Sequence, residues 1–131
     1  MVCAEDLFGG QTVIDLTNKK MVNYSPKTED YIWTNFHLSP NGKILAAIGC
    51  ILAGPFFMKI FDFRNPMTLP LPELKEIDLI GNDEEIVTWI DNETLQMKGF
   101  QIEYGYEYND KGWMSVKSVK ETPTERTVSI R

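Results

Sequence analysis

The sequence predicts an all-β fold made of antiparallel meanders. Residues 35–65 read as three short apolar strands separated by turn-forming segments at 39–42 and 53–55. Residues 95–108 alternate between apolar and polar side chains at the period of two that a strand requires. Apolar residues make up 43% of the chain and charged residues 24%, which is typical of a globular protein. A chain of 131 residues is long enough for a core of its own, so we expect a single domain over residues 1–131.

The N-terminal part is predicted to contain a leading segment followed by a hairpin. Residues 1–10 form the leading segment, which ends at Gly9 and Gly10. Strands are predicted at residues 11–16 and 21–24, where aliphatic and β-branched side chains are frequent, with a turn at 17–20 between them. Residues 25–30 are polar and are predicted as a loop.

The central unit is predicted from its turns. A strand at residues 31–38 should place Trp33 and His37 on one side, and the opposite side should carry Ile32, Thr34, Phe36 and Leu38. Asn41 and Gly42 predict a type I′ turn, in which both central residues have positive φ. Strands at residues 44–52 and 57–63 follow, with the turn at 53–55 between them.

The second half of the chain is predicted as further strands after an irregular connection. Three prolines within residues 64–72 exclude a central strand and predict an extended connection. Strands are predicted at residues 73–80, 85–90 and 95–108, the last of them half-buried, with turns at 81–83 and 91–94. A turn at 109–112 leads into residues 113–120, whose spacing also suits a helical turn. We expect residues 121–131 to be a loose end or a short edge strand.

The sequence echoes itself at an offset of 47 residues. Residues 12–16, Thr-Val-Ile-Asp-Leu, resemble residues 59–63, Lys-Ile-Phe-Asp-Phe, and a further 47 positions lead to residues 106–110. Residues 39–45 are similarly echoed by residues 90–95. Repeats of about 40 to 50 residues with several strands each are typical of propeller blades.

These motifs resemble WD40-type β-propeller blades over residues 11–115. The segment Ser-Pro-Asn-Gly-Lys at 39–43 is similar to the Ser-Pro-Asp-Gly-Lys turn of that family, and Ile-Phe-Asp-Phe at 60–63 to its closing strand. The chain has no Trp-Asp dipeptide and no Gly-His pair. It supplies about two and a half blades, whereas a closed ring needs at least about four. The resemblance therefore implies meanders packed as an incomplete propeller or a sandwich, with end faces covered by loops, termini or another copy.

Composition argues against nucleic acid and membrane as partners. The net charge is −6 and the lysines and arginines are scattered, which opposes binding to phosphate backbones. No apolar run approaches the roughly 20 residues that span a bilayer. An acidic balance suits solubility or a basic protein partner. Two cysteines are too few for a disulfide scaffold, and the N-terminus lacks the pattern of a signal peptide, so we expect a cytoplasmic protein.

The sequence predicts no catalytic, cofactor or metal site. His37 is the only histidine and has no orienting acid or nucleophile nearby in the sequence. A structural zinc site needs four ligands, whereas the chain has three cysteine and histidine residues in total. The acidic clusters at 83–85 and 91–93 lack the pattern of a calcium loop and are predicted as solvated turns. A carboxylate-based hydrolase, with a site drawn from Asp83, Glu85, Asp91 and Glu103, is the last of three functional hypotheses.

The first hypothesis is a non-catalytic protein-interaction module, for example an acidic inhibitor or immunity-type protein that blocks a basic site. Most of the aromatic residues are predicted to fill the core. Residues 49–57 are the exception, because they are apolar where a connection should be polar. If this segment is exposed, it forms a binding surface or a dimer contact. The residues of this candidate surface are Cys50, Ile51, Leu52, Pro55, Phe56 and Phe57. The second hypothesis is a self-assembling structural β protein, a homo-oligomer whose copies bury each other's sheet edges.

Overall fold

The computed structural model describes residues 2–6, 9–27, 30–51, 54–80 and 83–131. These residues form ten strands and no helix, which confirms the prediction of an all-β fold. The strands are β1 (Val2–Asp6), β2 (Gly9–Asp15), β3 (Lys20–Tyr24), β4 (Ile32–Leu38), β5 (Ile44–Cys50), β6 (Phe57–Asp62), β7 (Glu73–Asp78), β8 (Glu85–Trp89), β9 (Thr94–Tyr108) and β10 (Met114–Ser129). Ala53, Gly81 and Asn82, which belong to two of the predicted turns, lie outside the described residues. No helix in the described ranges is long and apolar enough to cross a membrane.

The strands form three antiparallel sheets, each a meander of strands that are consecutive in the sequence. Sheet A contains β1-β2-β3, sheet B contains β4-β5-β6-β7 and sheet C contains β8-β9-β10. The predicted antiparallel meanders are therefore confirmed. The sheets are open and not closed into a ring or barrel, an arrangement consistent with an incomplete propeller or a sandwich.

Sheet B lies between the other two sheets, and its two central strands, β5 and β6, are buried on both faces. Leu45 and Ala47 of β5 belong to one apolar cluster, which contains Trp33. Ala46 and Ile48 belong to a second cluster, which is shared with sheet C. Because alternate residues of a strand point to opposite faces, a strand buried on both faces must be apolar throughout. This explains why the sequence of β5 reads as a continuous apolar run.

Sheet A and the proline-containing connection pack near the first cluster. Sheet A contacts sheet B through β4, and Val13 of β2 is fully buried. Leu71, from the irregular connection, belongs to the first cluster, and its backbone N–H donates to the Gln11 side chain at 2.8 Å. The predicted irregular connection is therefore confirmed, and it also contributes to the core.

The predicted faces of β4 are wrong because the strand contains a bulge. Trp33 pairs with Gly49 and Asn35 pairs with Ile48, so Thr34 is an extra residue on this strand. A single extra residue exchanges the two faces of everything that follows it. As a result Phe36, predicted opposite Trp33, lies beside it with ring centroids 5.7 Å apart.

The predicted turn after β4 is present, but it is not type I′. Gly42 has a φ of 74°, whereas the φ of Asn41 is not positive. The Gly42 N–H donates to the Ser39 carbonyl at 2.8 Å. These features fit a type I turn with Pro40 at its second position, followed by a left-handed glycine. The Asn41 Oδ1 atom stabilises the turn by accepting from the Ser39 hydroxyl and the Lys43 N–H.

The prediction for the N-terminal end of the chain is wrong. The predicted leading segment contains β1, and β2 begins at Gly9, so Gly9 and Gly10 belong to a strand. Of the two alternatives for residues 121–131, the edge strand is confirmed and the loose end is wrong: residues 121–129 are the second half of β10, which pairs continuously with β9. Its Pro123 is accommodated because β10 is an edge strand, where a missing N–H is tolerated.

Candidate interaction surface

The hairpin of β9 and β10 projects beyond the rest of sheet C. β8 pairs with β9 only up to Lys98, whereas β10 pairs with β9 as far as Tyr108. Residues 100–123 therefore form a two-stranded ribbon, hereafter the arm. At about 3.3 Å per residue, the arm extends about 26 Å from its base at Phe100 to its tip at Tyr108.

One face of the arm is apolar and exposed. Directly paired residues of antiparallel strands share a face, and this face carries the pairs Tyr104–Val119, Tyr106–Val116 and Tyr108–Met114. Ile102 is 37% exposed, Tyr108 is 71% exposed and the other members lie between these values. The prediction that residues 95–108 form a half-buried strand with its aromatic residues in the core is therefore wrong beyond Lys98. This surface, hereafter the apolar face, comprises Phe100, Ile102, Tyr104, Tyr106, Tyr108, Met114, Val116 and Val119.

The opposite face of the arm is polar, and its charges are matched across the strands. Glu103 lies directly opposite Lys120, and the Lys117 ammonium lies 3.7 Å from the Glu107 carboxylate. The whole arm holds four carboxylates and three lysines, so its net charge is −1, compared with −6 for the chain. The arm is therefore an amphipathic ribbon that is nearly neutral.

The apolar face points away from the core. Leu95 and Met97, near the start of β9, are fully buried against sheet B. Beyond Gly99 the apolar residues of β9 are the even-numbered ones, which lie on the opposite face from Leu95 and Met97 because side chains alternate. One strand cannot bury both sets against the same core. The apolar face therefore has no cover within the described parts of this chain, as its exposure shows.

Closer to the core, the same outer face of sheet C is polar. Its cross-strand pairs are Thr94–Ser129, Gln96–Thr127 and Lys98–Glu125. The Gln96 amide donates to the Glu125 carboxylate at 2.6 Å. In an array of stacked sheets, the last sheet needs no further neighbour if its outer face is polar and solvated. Exposed apolar surface on this side of sheet C is thus concentrated in the arm.

A buried ion pair fixes the base of the arm. The Glu84 side chain is fully buried, and the Arg126 guanidinium donates to both of its oxygens, at 2.6 and 2.9 Å. Arg126 also donates to the Asp78 carbonyl, and Glu84 accepts from the Ile80 N–H. The prediction of a solvated acidic turn is therefore wrong for Glu84. Gly99 is required here, because a Cβ atom would lie 2.7 Å from the Glu84 Cα.

A hollow of about 670 Å³ lies at the base of the arm. Phe100 and Pro123 line it, so the hollow is continuous with the apolar face. Its charged side chains are Asp83, Glu85, Lys98 and Glu125. Three carboxylates beside one ammonium make the hollow acidic, and it can accept hydrogen bonds from an incoming donor.

The segment predicted as a binding surface lies at the same end of the molecule as the arm. Phe56 lines a cavity of about 170 Å³ together with Asp83 and Glu85, which also line the hollow. Ile51, Pro55 and Phe56 are exposed. The two apolar surfaces are therefore neighbours.

The remaining residues of that predicted surface differ in their placement. Cys50 is a half-buried free thiol at the end of β5. Phe57 is partly buried, and its ring packs on that of Tyr31 with centroids 5.0 Å apart. Leu52 lies outside the described residues. Phe57 thus contributes to the core more than to the surface.

Of the carboxylates considered for a hydrolase, Asp83 and Glu85 both line the hollow, whereas Asp91 and Glu103 lie elsewhere. Asp91 lies in the turn before β9 and accepts from the Glu93 N–H, an interaction that lowers the pKa of its carboxyl group. Glu103 lies on the arm, about 30 Å further along β9, while Glu85 lies on β8 opposite Lys98 of β9. Asp91 and Glu103 are therefore too far apart to act on one substrate bond.

His37 occupies a structural position on β4. Its carbonyl accepts a hydrogen bond of 3.0 Å from the Trp89 indole, which ties sheet B to sheet C. Burial lowers the pKa of its imidazole. Among the residues that the structure describes, no group of three histidine, cysteine or carboxylate side chains is placed to hold a metal ion.

Comparison with known proteins gives no relative: no protein-family model, no curated protein and no solved structure matches the chain. A functional assignment therefore depends on the geometry above. The feature of this candidate surface that the sequence did not predict is the exposure of the apolar face. The signal for it is the change from odd-numbered to even-numbered apolar residues at Phe100.

Proposed function

We propose that this protein is a non-catalytic protein-interaction module and that the apolar face of the arm is its contact surface. The observation that carries the proposal is the exposed row of Tyr104, Tyr106 and Tyr108. Aromatic side chains anchor protein interfaces, and contiguous apolar surface on a soluble chain marks an interaction site. A ribbon of two strands is also marginal in water by itself, so a partner that covers it stabilises it.

The shape of the surface favours a protein over a small molecule. The apolar face is an extended strip about 26 Å long, whereas small molecules bind in concave sites that enclose most of their surface. Aromatic side chains have roughly 150 to 250 Å² each, and at the observed exposure the strip offers on the order of 800 Å². Each partner of a standard protein–protein interface contributes about that area.

Charge has a secondary role in this proposal. Most of the net charge of −6 lies outside the arm, whose own net charge is −1. An acidic inhibitor or immunity-type protein that meets a basic site is one form of the module. In that form the acidic body would accelerate the encounter, whereas the apolar contact would supply affinity.

We also propose that the three sheets are related to propeller blades of the WD40 type. Asp15 at the end of β2 and Asp62 at the end of β6 each accept a backbone N–H two residues later, from Thr17 and Arg64, at 3.0 Å in both cases. Asp15 and Asp62 lie in residues 12–16 and 59–63, the two related segments of the sequence echo. In this relation β9 corresponds to β5. Residues 106–110, the third segment of the echo, then lie at the tip of the arm and not in a strand that corresponds to β6.

A cytoplasmic location is part of the proposal. The thiol of Cys50 is free, and free thiols are the normal state of cysteines in reducing compartments.

Site-specific photo-crosslinking tests the proposed function. A photoreactive residue is placed at Tyr106 on the apolar face or, as a matched control, at Ser115 on the polar face of the same hairpin. Irradiation in an extract of the native source should join a discrete protein to the Tyr106 site, including a second copy of this chain, and should join none to the Ser115 site. Identical labelling at both positions would contradict the proposal.

A further inference from the structure

We propose that the occupant of the apolar face is a second copy of this chain. Two arms pack face to face and antiparallel around a two-fold axis, so that the tip of each arm reaches the hollow at the base of the other. This inference rests on the proposed function and specifies its partner. Three features of the structure carry it: the area of the apolar face, the charge of the arm and the position of the hollow.

The area of the apolar face matches what a symmetric dimer needs. In a two-fold interface the same patch is buried on both partners. The apolar face offers on the order of 800 Å², so two copies would bury about 1,600 Å², the size of a standard stable interface. Packing two such strips along their length covers the exposed rings of both copies at once.

The charge of the arm suits an identical partner. The eight residues of the apolar face are uncharged, and Glu121, opposite Ile102 near the base, is the one charged residue on the same side of the arm. The charges on the polar face are matched within the arm. The apolar face therefore has no row of carboxylates to which a strongly basic partner could bind. Two copies meet there without repulsion, and the remaining negative charge lies on bodies that the arms hold apart.

The hollow lies where an antiparallel second arm would end. Lys98, Phe100 and Glu125 share the outer face of sheet C with the apolar face, and all three line the hollow. Arms of equal length that overlap fully place each tip at the other's base. The tip carries Tyr108 on the apolar face, and this residue is 71% exposed. The Tyr108 hydroxyl is a donor, and the carboxylates of the hollow are acceptors.

Sedimentation velocity of the whole chain at micromolar concentrations is the first measurement. A dimer of twice the 15.0 kDa chain mass is expected. Tyr106→Lys should weaken dimerisation by roughly 30-fold or more, the typical loss at an interface anchor. Val116→Lys should act in the same direction. Ser115→Lys adds the same charge on the polar face and should leave dimerisation unchanged. Circular dichroism confirms that each variant retains its strands.

Crosslinking between lysines tests the antiparallel geometry. Lys98 at the base and Lys111 at the tip lie more than about 30 Å apart within one copy, because the length of the arm separates them. A short amine-reactive crosslinker can therefore join them only between copies. In a mixture of isotopically light and heavy chains, we expect a Lys98–Lys111 crosslink that contains one chain of each kind, and Tyr106→Lys should abolish it.

The outcomes separate the dimer from the more general function. A monomer at the highest concentration overturns the dimer, as does a dimer that Tyr106→Lys does not affect or one without the mixed crosslink. If the chain is monomeric and the photoreactive Tyr106 position captures another protein, the dimer is wrong and the interaction module stands. If that position captures no protein at all, both are wrong.

Discussion

Replacing Arg126 with methionine should destabilise the protein strongly. Arg126 is the only charged partner in hydrogen-bond contact with Glu84 in the described structure, and the Glu84 side chain is fully buried. The methionine retains much of the apolar volume of the arginine stem. The substitution therefore removes the guanidinium and leaves a buried carboxylate with the Ile80 N–H as its remaining donor.

The size of the effect follows from the burial of the pair. Breaking a buried ion pair by removing one partner typically costs about 3 to 5 kcal/mol. The Arg126 side chain is 30% exposed, so water can enter beside Glu84 and the lower value of about 3 kcal/mol is expected. For a domain of this size that loss lowers the midpoint of thermal unfolding by roughly 10 °C.

Chemical and thermal denaturation followed by circular dichroism measure this loss. Arg131→Met is the matched control, because Arg131 pairs with Glu93 where both side chains are exposed, and a surface pair contributes at most about 1 kcal/mol. Adding Glu84→Gln to Arg126→Met should restore part of the stability, because the buried charge is removed while an acceptor for Ile80 remains. If Arg126→Met is as mild as Arg131→Met, the account of the arm's base is wrong.

Three further predictions concern the turn after β4, the contact between sheets and the Asp62 carboxylate. Gly42→Val should lower the free energy of unfolding, measured with denaturant, by about 1 to 3 kcal/mol. The cause is the φ of 74° and not a steric clash, because a Cβ atom at Gly42 would meet no neighbour within 4 Å. Gly42→Asn should lower it clearly less, and equal losses for the two variants would refute the conformational cause. Trp89→Phe should cost about 1 kcal/mol by the same measurement, since it removes the donor to the His37 carbonyl, and an unchanged stability would contradict this. Hydrogen bonds from the Arg64 side chain and N–H lower the pKa of Asp62 from 3.8 to about 2. This lowered pKa stabilises the fold above about pH 4, and the stabilisation is lost as the pH falls towards 2. In an NMR titration Arg64→Ala should raise the Asp62 pKa, and an unchanged value would refute the assignment.

Predictions that depended on neighbouring residues were the most successful. The strand at β9 and the turns around it follow from alternation and from turn-forming residues. Even so, the turn type that these local signals predicted was wrong. Asn41-Gly42 fits a type I′ turn by composition, but Pro40 and the Ser39–Gly42 hydrogen bond produce a type I turn with one left-handed residue.

Predictions that depended on distant residues were wrong in identifiable ways. The bulge at Thr34 depends on the register between β4 and β5, which no residue of β4 encodes by itself. Glu84 lies in an acidic turn by sequence, and only the return of β10 brings Arg126, 42 positions later, into contact with it. The candidate surface at residues 50–57 was chosen for its apolar composition, yet Phe57 packs on the core.

The sequence by itself determined that this chain forms strands in consecutive meanders, because turn residues and side-chain alternation act between neighbours. Only the tertiary structure decided which apolar residues are buried. Leu95 and Tyr104 are equally compatible with a strand, but Leu95 faces sheet B whereas Tyr104 lies beyond the end of β8, on the opposite face. Burial depends on what stands opposite a side chain, and that neighbour comes from elsewhere in the chain or, as we propose for the arm, from a second copy.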